Sequence, residues 1–234
     1  MATARDKDTV QAEDPKRSAK PVSLPTVERL SVYRRTLEEL SSDGVEYIHS
    51  HQLAALVGVN PAQLRRDLAS FGTFGNISRG YNVSQMGSTI GHIIGTDTVQ
   101  NVALFGLGDL GRALLSYRGF EERGFHIAAA FDVDADKVGR VFAGRRCYSI
   151  DELEEVLPEL DIHIAVLATT REGLQALVDR AAGAGIRSFL NFVPKLLKTP
   201  ANSAIEYMDI SAKLEKLSFL SQNKPELDQQ KPKA

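Results

Sequence analysis

Val99-Gln-Asn-Val-Ala-Leu-Phe105 runs without a break into Gly106-Leu107-Gly108-Asp109-Leu110-Gly111, and a helical pattern continues from Arg112 to Tyr117. A β-rich strand, a G-x-G-x-x-G turn and a helix in that order make the first unit of a dinucleotide-binding fold. Gly106 permits the tight turn, Gly108 the close approach of a pyrophosphate, and Gly111 the contact between helix and strand. The phosphates would rest on the N–H groups at the start of the helix. The motif alone is weak, and the residues downstream of it carry the weight. A second strand, His126 to Phe131, ends in Asp132, 21 residues after Gly111. A carboxylate at that distance accepts a ribose 2′-hydroxyl and repels a 2′-phosphate, which favours NAD(H) over NADP(H). Asp132, Asp134 and Asp136 also fit a simple polar turn.

Further along, apolar strands keep alternating with helical patterns, the mark of a parallel sheet with crossover helices. Ile162 to Leu167 predicts a buried strand, and Ala168-Thr-Thr-Arg171 the opening of a helix, with Thr169 and Thr170 beside the phosphates. Ile186 to Leu190 predicts another strand. It ends in Asn191-Phe-Val-Pro194, which places Asn191 and Phe192 against the nicotinamide or, equally well, in a polar turn with a core phenylalanine.

Upstream the texture changes. Val27, Leu30, Tyr33, Leu37 and Leu40 recur at helical spacing, and Gly44 stops the helix. A second helix starts at Ser50, as N-cap, and is broken at Gly58. A third begins after Asn60-Pro61-Ala-Gln63, in which Asn60 caps, Pro61 takes the first helical position and Gln63 can close a capping box. This is a helix-turn-helix, whose second helix enters the major groove. Leu64, Leu68 and Phe71 face inward, and Ala62, Arg66, Ala69 and Ser70 face out, flanked by Gln63 and Arg65. The arginines can reach guanine or phosphate and Gln63 can read adenine. A three-helix bundle with a solvated arginine pair fits the pattern as well. Charge does not decide, since residues 1–97 hold 11 Lys/Arg and 11 Asp/Glu. The Gly- and aromatic-rich stretch 71–83 then reads as a β-hairpin, a wing, with Arg79 near its tip and Tyr81 beside it. Arg79 would enter a minor groove or grip phosphate.

The 234 residues therefore divide into a polar tail (1–21), a winged helix-turn-helix head (22–97), a Rossmann domain (98–202), a helix (203–222) and a second tail (223–234). The tails carry too little apolar surface to order themselves. In the last helix Ile210, Leu214, Leu217 and Leu220 or Ser221 form an apolar stripe with no later element to cover it, which calls for a partner. Cys147 is the only cysteine, so neither an intrachain disulfide nor a cysteine-based zinc site exists. No apolar run reaches the ~20 residues of a membrane span, and the first twenty residues lack a secretory apolar core, so a cytoplasmic protein is expected. An enzyme is not expected. About forty residues remain after the last predicted strand, too few for a substrate domain, and the five histidines are scattered. Lys195 is the one candidate base. A DNA-binding head on a cofactor domain without catalytic groups reads as a ligand-controlled switch.

Four segments together resemble the Rex family of redox-sensing transcriptional repressors over about residues 22–222. They are Leu64-Arg-Arg-Asp-Leu-Ala-Ser-Phe-Gly72, Gly106-Leu-Gly-Asp-Leu-Gly111, Phe131-Asp-Val-Asp-Ala-Asp-Lys137-Val-Gly139 and Leu190-Asn-Phe-Val-Pro194. The resemblance implies a homodimer that binds an inverted-repeat operator, is released by NADH with NAD+ competing, and exchanges its last helix between subunits. It also places Lys137 in the cofactor segment. Arg35, Tyr117 and Asp209 match positions that link the head, the cofactor site and the partner's exchanged helix, with Tyr117 near the nicotinamide. One departure is visible: where the family's wing usually reads Lys/Thr-Arg-Gly-Val-Gly-Tyr, this chain has Asn76-Ile-Ser-Arg-Gly-Tyr81, so the wing arginine is displaced to Arg79. The competing classes are a small NAD-dependent enzyme and a CoA- or nucleotide-binding module.

Overall fold

Residues 102–105 show in four positions how the second half of the chain folds. Ala103 and Phe105 point into one apolar layer, and Val102 and Leu104 into another. A strand whose successive side chains are all buried on alternating faces is covered on both sides, as in a parallel α/β sheet. The computed structural model describes residues 23–71 and 79–223. The whole of the expected first tail, the second tail beyond Asn223 and the body of the wing at 72–78 lie outside the described residues. The chain divides into two units between Asp97 and Thr98.

The first unit contains α1 (Leu24–Ser42), β1 (Tyr47–Ile48), α2 (Ser50–Leu56), α3 (Pro61–Ala69), β2 (Tyr81–Asn82) and α4 (Val83–Ile93). Its core joins Leu30, Tyr33 and Leu37 of α1 to Leu53, Leu64, Leu68, Met86 and Ile90. Gly58, at φ 70°, makes the turn between α2 and α3 that an L side chain would strain. Asn60 caps α3 as expected, its Oδ1 accepting from the Gln63 N–H at 2.7 Å. Ser50, however, is the first helical residue of α2 and not its cap. His49 takes that role, paired reciprocally with Gln52. Gln63 closes no box, because its side chain turns toward Asp67. Tyr81–Asn82 pairs antiparallel with Tyr47–Ile48, a strand too short for its alternation to show in the sequence. The Gly-rich stretch also conceals α4. Asn82 caps it, and Val83, Met86 and Ile90 form its buried face.

The second unit contains β3 (Gln100–Phe105), α5 (Asp109–Leu115), a 3-10 segment (Arg118–Arg123), β4 (Phe125–Asp132), β5 (Val141–Phe142), β6 (Arg145–Ser149), α6 (Leu153–Glu159), β7 (Ile164–Leu167), α7 (Leu174–Gly183), β8 (Ser188–Asn191), β9 (Ala204–Tyr207) and α8 (Ile210–Gln222). The sheet order is β5-β6-β4-β3-β7-β8-β9, all parallel except the β5–β6 pair. Without β5 this is the doubly wound Rossmann order, which reverses between β3 and β7. α6 and α7 cover the Phe105 and Phe131 face. α5 covers the other, where Cys147 is fully buried. Burial pushes the Cys147 thiol above its ordinary pKa, and the nearby Asp132 charge adds to this.

Three expected elements differ. The helix after the glycine turn spans Asp109–Leu115 and ends before Tyr117. The helix after β7 starts at Leu174, later than Ala168-Thr-Thr-Arg171 implied, once Gly173 has turned the chain at φ 68°. The helix expected from 203 begins at Ile210, because Ala204–Tyr207 adds to the sheet edge beside β8.

Candidate functional site

The glycine turn sits at the carboxyl end of β3, where β4 leaves on one side and β7 on the other. Open α/β sheets bind ligands at this position. A Cβ on Gly106 (φ 97°) would lie 2.6 Å from the Ala168 carbonyl oxygen, and one on Gly111 would lie 1.9 Å from that of Gly106. The protein itself demands those two glycines. A Cβ on Gly108 would meet nothing within 4 Å, so no packing inside the chain calls for a glycine there. That open space at the head of α5 is what a diphosphate needs.

Asp132 ends β4 almost fully buried. Its Oδ2 accepts from the Leu107 N–H at 2.7 Å and from Lys137 Nζ at 3.1 Å, and its Oδ1 accepts from the Asp134 N–H at 3.0 Å. Burial pushes the carboxyl up, but these donors outweigh it and hold it below the ordinary carboxylate range. Lys137, desolvated in the opposite sense, is raised by the same pairing and by Asp134 at 3.3 Å. A carboxylate offers about four acceptor positions, so an ionised Asp132 retains room for a ribose hydroxyl.

The other residues expected at the cofactor divide. Thr169 lies against the glycine turn, its Cα 2.9 Å from where a Cβ on Gly106 would be, and Thr170 comes next, exposed. Leu107 is buried, and Phe192 packs into the same apolar cluster. Asp109 and Leu110 are exposed at the start of α5, where Asp109 pairs with Arg112 at 3.0 Å. Asn191 is buried and committed to its own loop. Its Oδ1 accepts from the Val193 N–H at 2.8 Å and its Nδ2 donates to the Lys195 carbonyl at 3.2 Å. Both ends of its side chain are therefore engaged in shaping the turn. Tyr117 is not brought to Phe192 within the chain. It lies past the end of α5 among Leu115, Phe120, Phe125 and Arg145, toward the amino-terminal ends of the strands. Lys195 Nζ donates to the Arg171 carbonyl at 2.9 Å.

On α3 the outward face is Ala62, Arg65, Arg66, Ala69 and Ser70. Arg65 donates to Ser50 Oγ at 3.2 Å, Arg66 to Gln63 Oε1 at 3.0 Å, and Ser70 Oγ to the Arg66 carbonyl at 3.2 Å. Gln63, read as an adenine contact, is half-buried and spends its amide N–H on Asp67. Tyr81, partly buried, packs against the core of the head, and burial raises its pKa. The Arg79 guanidinium lies over the Tyr47 ring, 4.8 Å from its centroid. Tyr47 has no signal in the sequence, since the strand that carries it spans two residues.

Arg35 lies on α1 with its side chain exposed. Asp209 caps α8, its Oδ1 accepting from the Ala212 N–H at 3.0 Å. No residue of α8 is buried, and Ile210, Leu214, Leu217 and Phe219 are each more than half exposed. Among the described residues no cluster of metal-binding side chains occurs, and no helix is long and apolar enough to cross a membrane.

Residues 21–69 match the family model described as "Putative DNA-binding protein N-terminus", and residues 97–195 match "CoA binding domain". The redox-sensing transcriptional repressor Rex of Rhodopirellula baltica is 41% identical over 203 residues, covering 87% of this chain and 86% of its own. Rex of Streptomyces coelicolor is 36% identical over 96% of this chain and 84% of its own.

The chain belongs to the Rex family.

Solved Rex-family structures agree with this. RSP, crystallised with β-NAD+ and operator DNA, superposes with a TM-score of 0.82 at 32% identity, covering 89% of this chain and 96% of RSP. RSP with β-NADH gives 0.78 at 32% identity, covering 89% and 98%. Rex relatives carry the name of repressors and not of enzymes.

Proposed function

We infer that this chain is a redox-sensing transcriptional repressor that binds operator DNA as a homodimer, holds NAD(H) at the Gly106–Gly111 turn, and leaves the DNA when NADH binds. One observation carries the reading: a single chain joins an outward arginine face on a helix-turn-helix to a Rossmann unit whose Gly108 opens onto empty space. A repressor works where the DNA is, so we place the protein in the cytoplasm.

In this reading Gly106, Leu107, Gly108, Asp109, Leu110 and Gly111 cradle the diphosphate, with Thr169 and Thr170 beside it. Asp132, backed by Lys137, takes the adenosine ribose, and Phe192 forms an apolar wall at the nicotinamide. The CoA model matched by residues 97–195 suggests a second ligand class. A buried carboxylate at the ribose argues against it, since CoA carries a phosphate on that sugar. Arg65, Arg66, Ser70 and Arg79 face the DNA. α8 pairs two subunits through its apolar side, and Arg35, Tyr117 and Asp209 report cofactor occupancy to the heads. NADH and NAD+ differ in charge and planarity at the nicotinamide, and a ligand shifts a conformational equilibrium only by its difference in affinity for the two states.

The test is a fluorescence anisotropy titration of the protein on its DNA at fixed salt with NADH, NAD+, NADPH and CoA in parallel. NADH is expected to release the DNA well before NAD+ or NADPH, and CoA to do nothing. Equal release by NADH and NAD+ would remove the redox reading.

A further inference from the structure

A buried carboxylate lies directly beneath the outward face of α3. Asp67 accepts four hydrogen bonds: from Arg29 Nε at 2.7 Å, Arg29 Nη2 at 2.7 Å, Tyr33 Oη at 2.9 Å and Gln63 Nε2 at 2.8 Å. Arg29 and Tyr33 belong to α1, and Gln63 to the first turn of α3. Gln63 is thereby held with its amide oxygen outward, where it accepts from Arg66 Nη2 at 3.0 Å. The chain of contacts runs from a fixed point in the core, through one amide, to the exposed guanidinium.

Each link has a chemical reason. A carboxylate with donors on both oxygens has little rotational freedom, and donors that favour the charged form keep it ionised. Burial alone pushes Asp67 up, yet the Arg29, Tyr33 and Gln63 hydrogen bonds hold it below the ordinary carboxylate range. An ionised acceptor decides which end of the Gln63 amide faces inward, since only the N–H end can donate to it. The oxygen end is then committed to a donor outside, and Arg66 is the donor that meets it. A long arginine otherwise loses rotamer freedom when it settles on a base, and Gln63 removes part of that freedom in advance.

We propose that Asp67, acting through Gln63, is a positioning residue that sets the Arg66 guanidinium for base readout, and that Gln63 itself reads no base. This rests on the reading of α3 as the recognition helix. It predicts that Gln63 and Asp67 matter to sequence-specific binding only through Arg66, and leave electrostatic, sequence-independent binding alone.

The experiment is a double-mutant cycle on the full-length protein. The probes are the duplex that wild type enriches from a random-sequence library and a duplex of unrelated sequence. Gln63→Ala is expected to weaken the enriched duplex about 10-fold, a change of about 1.4 kcal/mol, with the unrelated duplex and the salt slope unchanged. Asp67→Asn should do the same, with its thermal midpoint recorded alongside. In the Arg66→Ala background neither change should cost anything more, because coupled residues are non-additive. Base preference should relax at one position of each half-site only. Additive losses for Gln63→Ala and Arg66→Ala, or relaxation at a second position within a half-site, would mean that Gln63 reads a base and would overturn the proposal. So would a Gln63→Ala protein that binds like wild type. A loss for Asp67→Asn that extends equally to the unrelated duplex would make its role merely structural. An Arg66→Ala protein that still discriminates like wild type would instead overturn the reading of the α3 face, a different failure.

Discussion

The Leu107 N–H donates to Oδ2 of Asp132 at 2.7 Å, so the glycine turn and the acid at the end of β4 are held as one unit. Lys137 reaches the same oxygen. The acid that we propose meets the ribose is thus oriented from two directions. Asp132→Ala is expected to weaken NADH and to narrow the gap between NADH and NADPH, because the carboxylate goes while the Lys137 ammonium stays. Isothermal titration with both cofactors measures this, and a wild type that takes NADPH as tightly as NADH would contradict the role of Asp132. The same change leaves the Leu107 N–H and Lys137 without their acceptor, costing about 1–3 kcal/mol of stability.

Asp132 and Asp67 are both held below the ordinary carboxylate range. A depressed folded pKa contributes stability above the unfolded value of about 3.9, and that contribution is lost as pH falls through the lower folded value. Calorimetry should show the thermal midpoint dropping as pH goes below about 4. Asp132→Asn should flatten that acid limb. An unchanged limb in the variant would show that Asp132 does not contribute to it.

Arg66→Ala should weaken specific binding by about 1–3 kcal/mol, the range for a good bidentate base contact. Arg79→Ala should weaken all sequences evenly and reduce the salt slope by about one, as loss of a phosphate contact does. Tyr47→Ala should reproduce part of the Arg79 effect, since the ring under the guanidinium restricts where the charge sits. Binding isotherms at several salt concentrations separate the three.

Truncation after Met208 is expected to abolish the dimer while leaving the Rossmann sheet whole, because β9 ends at Tyr207. Light scattering should show monomers or aggregates, and a well-behaved dimer would rule out α8 as the pairing element. A cut before Ala204 would also strip an edge strand from the sheet and confuse the outcome.

Tyr117→Phe should blunt the difference between NADH and NAD+ in releasing DNA while leaving NADH affinity nearly intact. The position of Tyr117 agrees with that split. It lies among Phe120, Phe125 and Arg145, away from the glycine turn of its own chain. Anisotropy and cofactor titration on one protein sample test both halves.

Much of the second unit is legible in the sequence because burial on two faces leaves long apolar runs and because glycine is forced at 106 and 111 by clashes as close as 1.9 Å. The capped start of α3 is legible for a similar reason, as Asn60-Pro61 leaves the backbone little choice. The features that escape depend on partners distant in sequence. β1 and β2 are two residues each and exist only as a pair. β9 is an edge strand with exposed residues, so it shows no run. The Gln63 amide donating to Asp67, four residues on, and the Asn191 oxygen accepting within its own loop are local contacts that the sequence likewise does not announce. A side chain with two ends has two possible destinations, and spacing does not choose between them.

Cys147, the sole cysteine, is fully buried with its thiol pushed up, so it meets oxidants neither by access nor as thiolate. In the function proposed above, a sensor built this way keeps no record on a cysteine. Its output then lasts only as long as a nucleotide stays bound, needs no disulfide reductase to reset it, and tracks the pool as it is at that moment.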